Sequence, residues 1–341
     1  MGLRILYIGQ DDGGSYLRAD ALKRLGHTVD LINPFFLSGF PGRLLGKWMY
    51  ETGGLGVENY VRNLLLSKIG SQVYDIAHVD GGSMVGPRLV QELKQQCGTV
   101  INYNCDDPFG MRDRNNWRLY LQAVPYYDLL VVVREVNVAE AYALGAKSVV
   151  RVFRPANEFA HAPRSLSASD WAKWGSDIVF VGTWMPERGP FLAQLVSEGL
   201  PLTIYGNGWN KSSEWATLKQ AWKGGGIFGD DYAKAIQCAQ ICLGLLSKGN
   251  RDLHTIRTAE IPFLGGLFCA ERTIEHLQLY TEDSEAIFWS DADECIRKCR
   301  DLLGAPERRR RIAENGRKRA IKNGLLDQPL MEMILRQALG K

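Results

Sequence analysis

Short apolar runs alternate with longer stretches of helical period, and the alternation occurs twice along the chain. In the first half, residues 4–8, 28–32, 75–79, 99–103, 129–133 and 149–153 read as strands, and residues 16–25, 88–95 and 137–144 read as helices. Short buried strands separated by helices require a parallel sheet covered on both faces. The pattern lapses over 156–176, a stretch richer in Ala, Ser and Pro that reads as a connection between domains. It then restarts, with strands at 178–181, 202–205, 241–245, 267–269 and 286–288. Helices are expected at 190–198, 232–238, after Thr255, and at 291–303 and 306–323. This predicts two Rossmann-like α/β domains, 1–158 and 172–326, with a last helix over 327–341 packing back on the first. Each would be a doubly wound parallel sheet, binding ligands beyond the carboxyl ends of its strands. Two such sheets facing each other would hold a substrate in the cleft between them.

Composition narrows the picture by exclusion. A chain of 341 residues, 45% hydrophobic and 23% charged, has the profile of a soluble globular protein of two domains. A net charge of +3 supplies no field for nucleic acid. No apolar run reaches the roughly 18 residues that span a bilayer. Residues 3–9 are too short for a signal-peptide core and read as the first strand. Seven cysteines scattered through apolar patterns suit a reducing cytosol, so a cytoplasmic protein is expected. Cys238/Cys242 and Cys295/Cys299 are spaced i,i+4 on predicted helices, but no His or Cys nearby in sequence completes a zinc motif. They read as core cysteines, with no metal. Segment 35–66 mixes Phe35, Phe36, Leu37, Phe40, Leu44, Leu45, Trp48, Met49 and Tyr50 with Arg43, Lys47 and Arg62. That mixture fits either a core helix pair or a peripheral membrane face.

Candidate chemistry gathers at predicted strand ends. The densest stretch runs from Asn250 to Gly266, with Asp252, Arg257 and Glu260 in and before one short helix. A helix starting at His254-Thr255 would offer unpaired N–H groups and a positive dipole end to a phosphate. Arg188 follows the strand that ends in Gly182, where it could meet a diphosphate in a bidentate contact. Gly206 and Trp209 follow the next strand, suiting a loop beside a nucleoside with Trp209 as a stacking wall. In the first half, Gly13-Gly14-Ser15 opens a helix and could bind a phosphate or an acceptor. Acids at strand ends there are Asp11, Asp12, Asp80 (beside His78), Asp106 and Asp107. The first loop lacks the G-x-G-x-x-G spacing, and its two acids would repel a pyrophosphate, which argues against a nicotinamide enzyme.

Asp252 and Glu260 stand in an acid-x7-acid spacing that resembles the donor site of two-domain GT-B glycosyltransferases. The likeness is greatest to the CgeB-like (spore-maturation-protein-like) family. It extends through 260–266 and 284–289, and Asn104-Cys105-Asp106-Asp107-Pro108 is similar to that family's Asp-Asp signature. The resemblance implies a GT-B fold and a nucleotide-diphosphate-sugar donor, with no metal and no other cofactor. Glu260 would hold the ribose hydroxyls, while Arg257, Arg188 and the helix dipole would hold the diphosphate. Asp252 is one methylene shorter than the usual first glutamate. An inverting enzyme would draw its base from Asp107, Asp106 or Asp12, whereas the acid spacing leans towards retention. Gly13, Gly14, Ser15 and Asp80 fall on the acceptor side. The acceptor would be a glycan, a lipid-linked saccharide or a protein side chain. The alternatives are a nucleotide-sugar epimerase and a non-catalytic sugar-nucleotide-binding protein.

Overall fold

The computed structural model describes residues 2–37, 42–110 and 112–340. Phe40 lies outside the described residues, as do the side chains of Phe36, Leu37 and Arg43. The chain forms two compact units: Met1–Phe153 with Gly249–Arg251 and Asp327–Lys341, and Arg154–Lys248 with Asp252–Leu326.

The first unit holds β1 (Arg4–Ile8), β2 (Thr28–Ile32), β3 (Tyr74–Asp80), β4 (Cys97–Asn104), β5 (Leu129–Val132) and β6 (Val149–Arg151). All pair in parallel in the order β2-β1-β3-β4-β5-β6. Side chains on a strand alternate between faces, so each apolar run feeds two cores. Leu6, Ile8, Ala77, Val79 and Val100 join one cluster, which also takes in Val61, Leu65, Leu89 and Leu93 from the helices on that side. Ile5, Tyr7, Ile76 and Ile101 join the other, which is closed by Leu22 and by Met331 and Ile334 of the terminal helix Asp327–Ala338. Burying each such side chain is worth roughly 1.5–3 kcal/mol, which explains why this helix belongs to the first unit although it ends the chain.

The second unit holds β7 (Ser176–Val181), β8 (Leu202–Tyr205), β9 (Trp222–Gly224), β10 (Ala239–Gly244), β11 (Phe268–Glu271) and β12 (Ile287–Trp289). Their order is β12-β11-β10-β7-β8-β9, again all parallel. Counted from its own first strand this is 3-2-1-4-5-6, the Rossmann order, and the connectivity reverses between β7 and β10.

Three expectations need correction. The stretch read as a structureless connection contains the helix Ala168–Trp174, capped reciprocally by Ser167 and Asp170. It buries only Trp174, too little to leave a helical period. β9 was not expected, because Trp222 and Lys223 are exposed and show no apolar run. Cys238 and Cys242 do not share a helix: Cys238 ends the helix Gly229–Gln237 and Cys242 lies in β10.

Segment 35–66 is in part a core helix pair. Leu45 and Met49 of Gly42–Thr52 and Val61 and Leu65 of Val57–Ile69 are buried. Leu44, Trp48, Leu55 and Tyr60 are exposed. Among the described residues, no helix is long and apolar enough to cross a membrane.

Candidate functional site

A buried arginine sits at the carboxyl ends of β7 and β10. Arg188 begins the helix Arg188–Ser197 and turns back beneath it, only 9% exposed. Its Nη1 donates to the Thr183 carbonyl (2.8 Å), and its Nε and Nη2 donate to the carbonyls of Leu245 and Leu246 (3.2–3.3 Å). The guanidinium therefore bridges the loops that leave the two strands at which the sheet order reverses. It makes no ion pair with a carboxylate among the described residues. Burial pushes its pKa down, and Glu187 and Asp252 offset only part of that. An arginine remains charged even so, so the crevice keeps a cation held by carbonyls alone.

Arg257 approaches the same edge, its Nε donating to the Val181 carbonyl at 3.4 Å. Its guanidinium sits 4.3 Å from the centre of the Tyr232 ring and pairs with Glu260. Glu260 is 3% exposed. One of its oxygens accepts from Arg257 and from the Tyr232 hydroxyl (3.0 Å), and the other lies 3.0 Å from His161 Nε2. The backbone N–H of Asn157 donates to His161 Nδ1, so the His161 proton is on Nε2 and points at Glu260. Burial pushes the Glu260 carboxyl up, but Arg257 and His161 outweigh it and hold it well below the usual carboxylate range. The carboxylate expected to hold a ribose thus already has three partners within its own unit. Its oxygens are enclosed and occupied, and what they orient is Arg257.

The helix N-terminus also departs from expectation. The helix runs Arg257–Leu264. The Thr255 N–H is already taken by the Thr258 hydroxyl, and the Thr255 hydroxyl accepts from the Arg257 N–H. His254 is 3% exposed; its Nε2 accepts from the Arg154 N–H (3.0 Å) and its Nδ1 meets Glu275 (2.5 Å). Both residues brace the loop rather than face a ligand, and Asp252 too is buried. Trp209 is no stacking wall: it is 1% exposed, with its indole N–H on the Gly182 carbonyl at 3.0 Å. Gly206 is required by that packing, because a Cβ there would lie 1.9 Å from the Gly182 oxygen. The space at Gly182 is likewise filled, by the Phe180 ring at 2.6 Å.

In the first unit, the order reverses between β1 and β3. Asp80 at the end of β3 accepts from Arg18 (2.7 and 3.1 Å) and from the Tyr7 hydroxyl (2.5 Å), so it is not free to take an acceptor. Arg18 is 5% exposed and also lies over the Tyr103 ring. The helix Gly13–Arg24 starts beside this pair, with Asp12 exposed at its cap position and making no capping bond. Gly13 takes a φ of +55°, Gly14 packs against the Arg18 guanidinium, and the hydroxyl of Ser15 is buried without a hydrogen-bond partner. His78 is fully buried, stacked on Tyr7 at 4.8 Å, and neither ring nitrogen has a partner among the described residues.

Asp107 is 2% exposed, and its oxygens accept from Arg251 (2.6 and 2.7 Å), Asn137 (2.9 Å) and the Gly110 N–H (3.1 Å). Burial raises its pKa, yet Arg251 and Asn137 bring it below the ordinary value. A saturated, acidified carboxylate is a poor general base. Asp106 is half-buried, and its carboxylate has no hydrogen-bond partner among the described residues. Arg18, His161, Tyr232 and Arg251 were not anticipated as site residues. Arg251 alone lies within the acid- and arginine-bearing stretch 250–266, and a lone His in the connection or Tyr in a helix carries no sequence signal.

Two wound parallel sheets, each with polar groups at its reversal point, define the fold class of the GT-B glycosyltransferases. Residues 188–334, most of the second unit and the start of the terminal helix, are similar to the family model described as "Glycosyl transferase-like". No curated protein sequence matches the chain. Among solved structures, sucrose-phosphate synthase from Thermosynechococcus elongatus is 12% identical, with a TM-score of 0.72 and 99% of each chain covered. Anabaena HepE, solved in complex with UDP-glucose, is 10% identical at a TM-score of 0.67, covering 98% of this chain and 100% of its own. A glycosyltransferase from Rickettsia africae is 14% identical at a TM-score of 0.65, with 99% of each chain covered. At these identities the likeness establishes the fold.

Proposed function

We propose that this protein is a cytoplasmic glycosyltransferase that takes a nucleotide-diphosphate sugar in its second unit, at the carboxyl ends of β7 and β10. One observation carries the reading: Arg188 is a buried cation tied only to the carbonyls of Thr183, Leu245 and Leu246, at the point where a Rossmann-ordered sheet reverses. A diphosphate supplies the missing negative charge, and its departure during transfer is stabilised by the same cation. Arg257, held by Glu260, His161 and Tyr232, is the second cation. Two guanidiniums do the work of a metal, so the reaction is metal-independent. Anabaena HepE was solved with UDP and with UDP-glucose, which makes UDP-sugars the first donors to test.

Within the fold class we place the chain nearest the CgeB-like branch, on the acid-x7-acid spacing and the Asp106-Asp107 pair. The acceptor-side groups are Ser15, the Gly13-Gly14 turn and Asp106. Asp107 and Asp80 are already committed to arginines, so a retaining course, in which the leaving phosphate takes the acceptor proton, is the simpler one. A lipid-linked saccharide is favoured among acceptors by the exposed Leu44, Trp48, Leu55 and Tyr60 beside Lys47. The test is thermal shift with UDP-, GDP-, dTDP- and CMP-sugars. One donor should raise Tm, because ligand binding to the native state stabilises it by mass action. NMR of the product then reads the anomeric configuration. No shift with any donor, or conversion of the donor without an acceptor, would remove transfer as the function.

A further inference from the structure

Three of the seven cysteines converge. Cys269 lies on β11, and Cys295 and Cys299 lie one turn apart on the helix Ala292–Leu303. Their sulfurs all fall within 4.8 Å of one another, with the Cys295 and Cys299 sulfurs 4.0 Å apart. All three side chains are fully buried, among Ile287, Trp289, Leu302 and Ile312. Another buried thiol provides an internal comparison. Cys242 is equally enclosed, but it donates to the Ile236 carbonyl at 3.4 Å. The trio makes no bond to a carbonyl among the described residues; the sulfurs turn only towards each other.

We propose that Cys269, Cys295 and Cys299 form a binding site for a soft monovalent cation of the Cu(I) type. A metal–sulfur bond of about 2.3 Å in a planar three-sulfur arrangement sets the sulfurs about 4.0 Å apart. One pair already has that spacing, and the others need to close by less than an ångström. Thiolate sulfur selects soft ions. Zinc in structural sites takes four ligands, and no fourth Cys, His, Asp or Glu joins the group among the described residues. Each thiol that becomes a thiolate ligand releases its proton on binding, so affinity rises with pH. The ion enters during folding or on local opening of the helix from β11.

Competition against a chromophoric Cu(I) chelator, without oxygen, tests this on the whole protein. The wild type should withhold one equivalent of Cu(I). Cys242→Ala, which removes a buried thiol outside the group, should do the same. Cys299→Ala and Cys269→Ala, checked for folding by circular dichroism, should bind at least tenfold more weakly. The proposal falls if the wild type withholds no copper, if Cys299→Ala withholds as much as the wild type, or if Cys242→Ala loses as much as the trio variants. Stronger retention of Zn(II) than of Cu(I) would equally overturn it.

Discussion

Both sheets place an arginine where their strand order reverses, and the two arginines have partners of different kinds. Arg18 in the first unit is bound to Asp80 at 2.7 Å, with the Tyr7 hydroxyl on the same carboxylate. Arg188 in the second is bound to three carbonyls and no carboxylate. The arginine of the first reversal point is therefore paired directly with a carboxylate, whereas that of the second touches carbonyls alone and feels Glu187 and Asp252 only at a distance. A neutral polyhydroxyl acceptor needs hydrogen bonds without net charge, whereas a sugar diphosphate needs a cation. On the proposed function, the partner chosen for one guanidinium would suit similar architecture to different ligands.

The largest expected effect separates structure from binding. Arg18→Met should cost about 3–5 kcal/mol of stability, since Asp80 would be left buried without its cation. Denaturant unfolding measures this, and a loss below about 1 kcal/mol, no larger than a surface ion pair, would mean the pair is not what closes the first site. A second effect appears only in acid. Burial pushes the His78 pKa down to about 4, from an ordinary value of about 6.5. The unfolded chain then binds the proton first, so the stability present above pH 6.5 drains away as pH falls towards 4, by about 3 kcal/mol in all. His78→Phe keeps the stacking on Tyr7 and should flatten the stability curve over that window. His276, also held at about 4 by burial, is present in both proteins and cancels in the difference. An unchanged slope would show that His78 finds a proton partner in solution.

Arg188→Met addresses the other half of the comparison. Losing charge-assisted bonds worth about 1.5–3 kcal/mol should weaken UDP-sugar binding by roughly 10- to 100-fold, as read by calorimetry on the folded variant. Equal affinity in wild type and variant would reverse the assignment of the charged crevice. The smallest effect is expected at His161. Removing its bond to Glu260 in His161→Ala costs about 1 kcal/mol and should raise the donor KM a few-fold, with kcat nearly unchanged. A fall in kcat alone would assign His161 a different role.

The fold was legible because its signal is local. Strands such as Arg4–Ile8 are apolar on both faces, and glycines or helical periods separate them. That pattern survives in one dimension, and it located eleven of the twelve strands and the doubled arrangement. Arg188 was also legible, since it directly follows a strand and opens a helix. The sequence could not tell what those side chains would touch. Glu260 and Arg257 share a helix face by spacing, but His161 and Tyr232 reach Glu260 from distant segments, and no spacing announces them. Trp209 and His254 look like ligand residues in a loop and prove to be buried supports. Asp107 looked like a base until Arg251 filled it, and Cys269 met Cys295 and Cys299 only because β11 packs against their helix. Periodicity fixes which face of an element is buried. Partner choice for a charge or a thiol depends on which remote elements the packed core brings within about 3–4 Å, and only tertiary structure decides that.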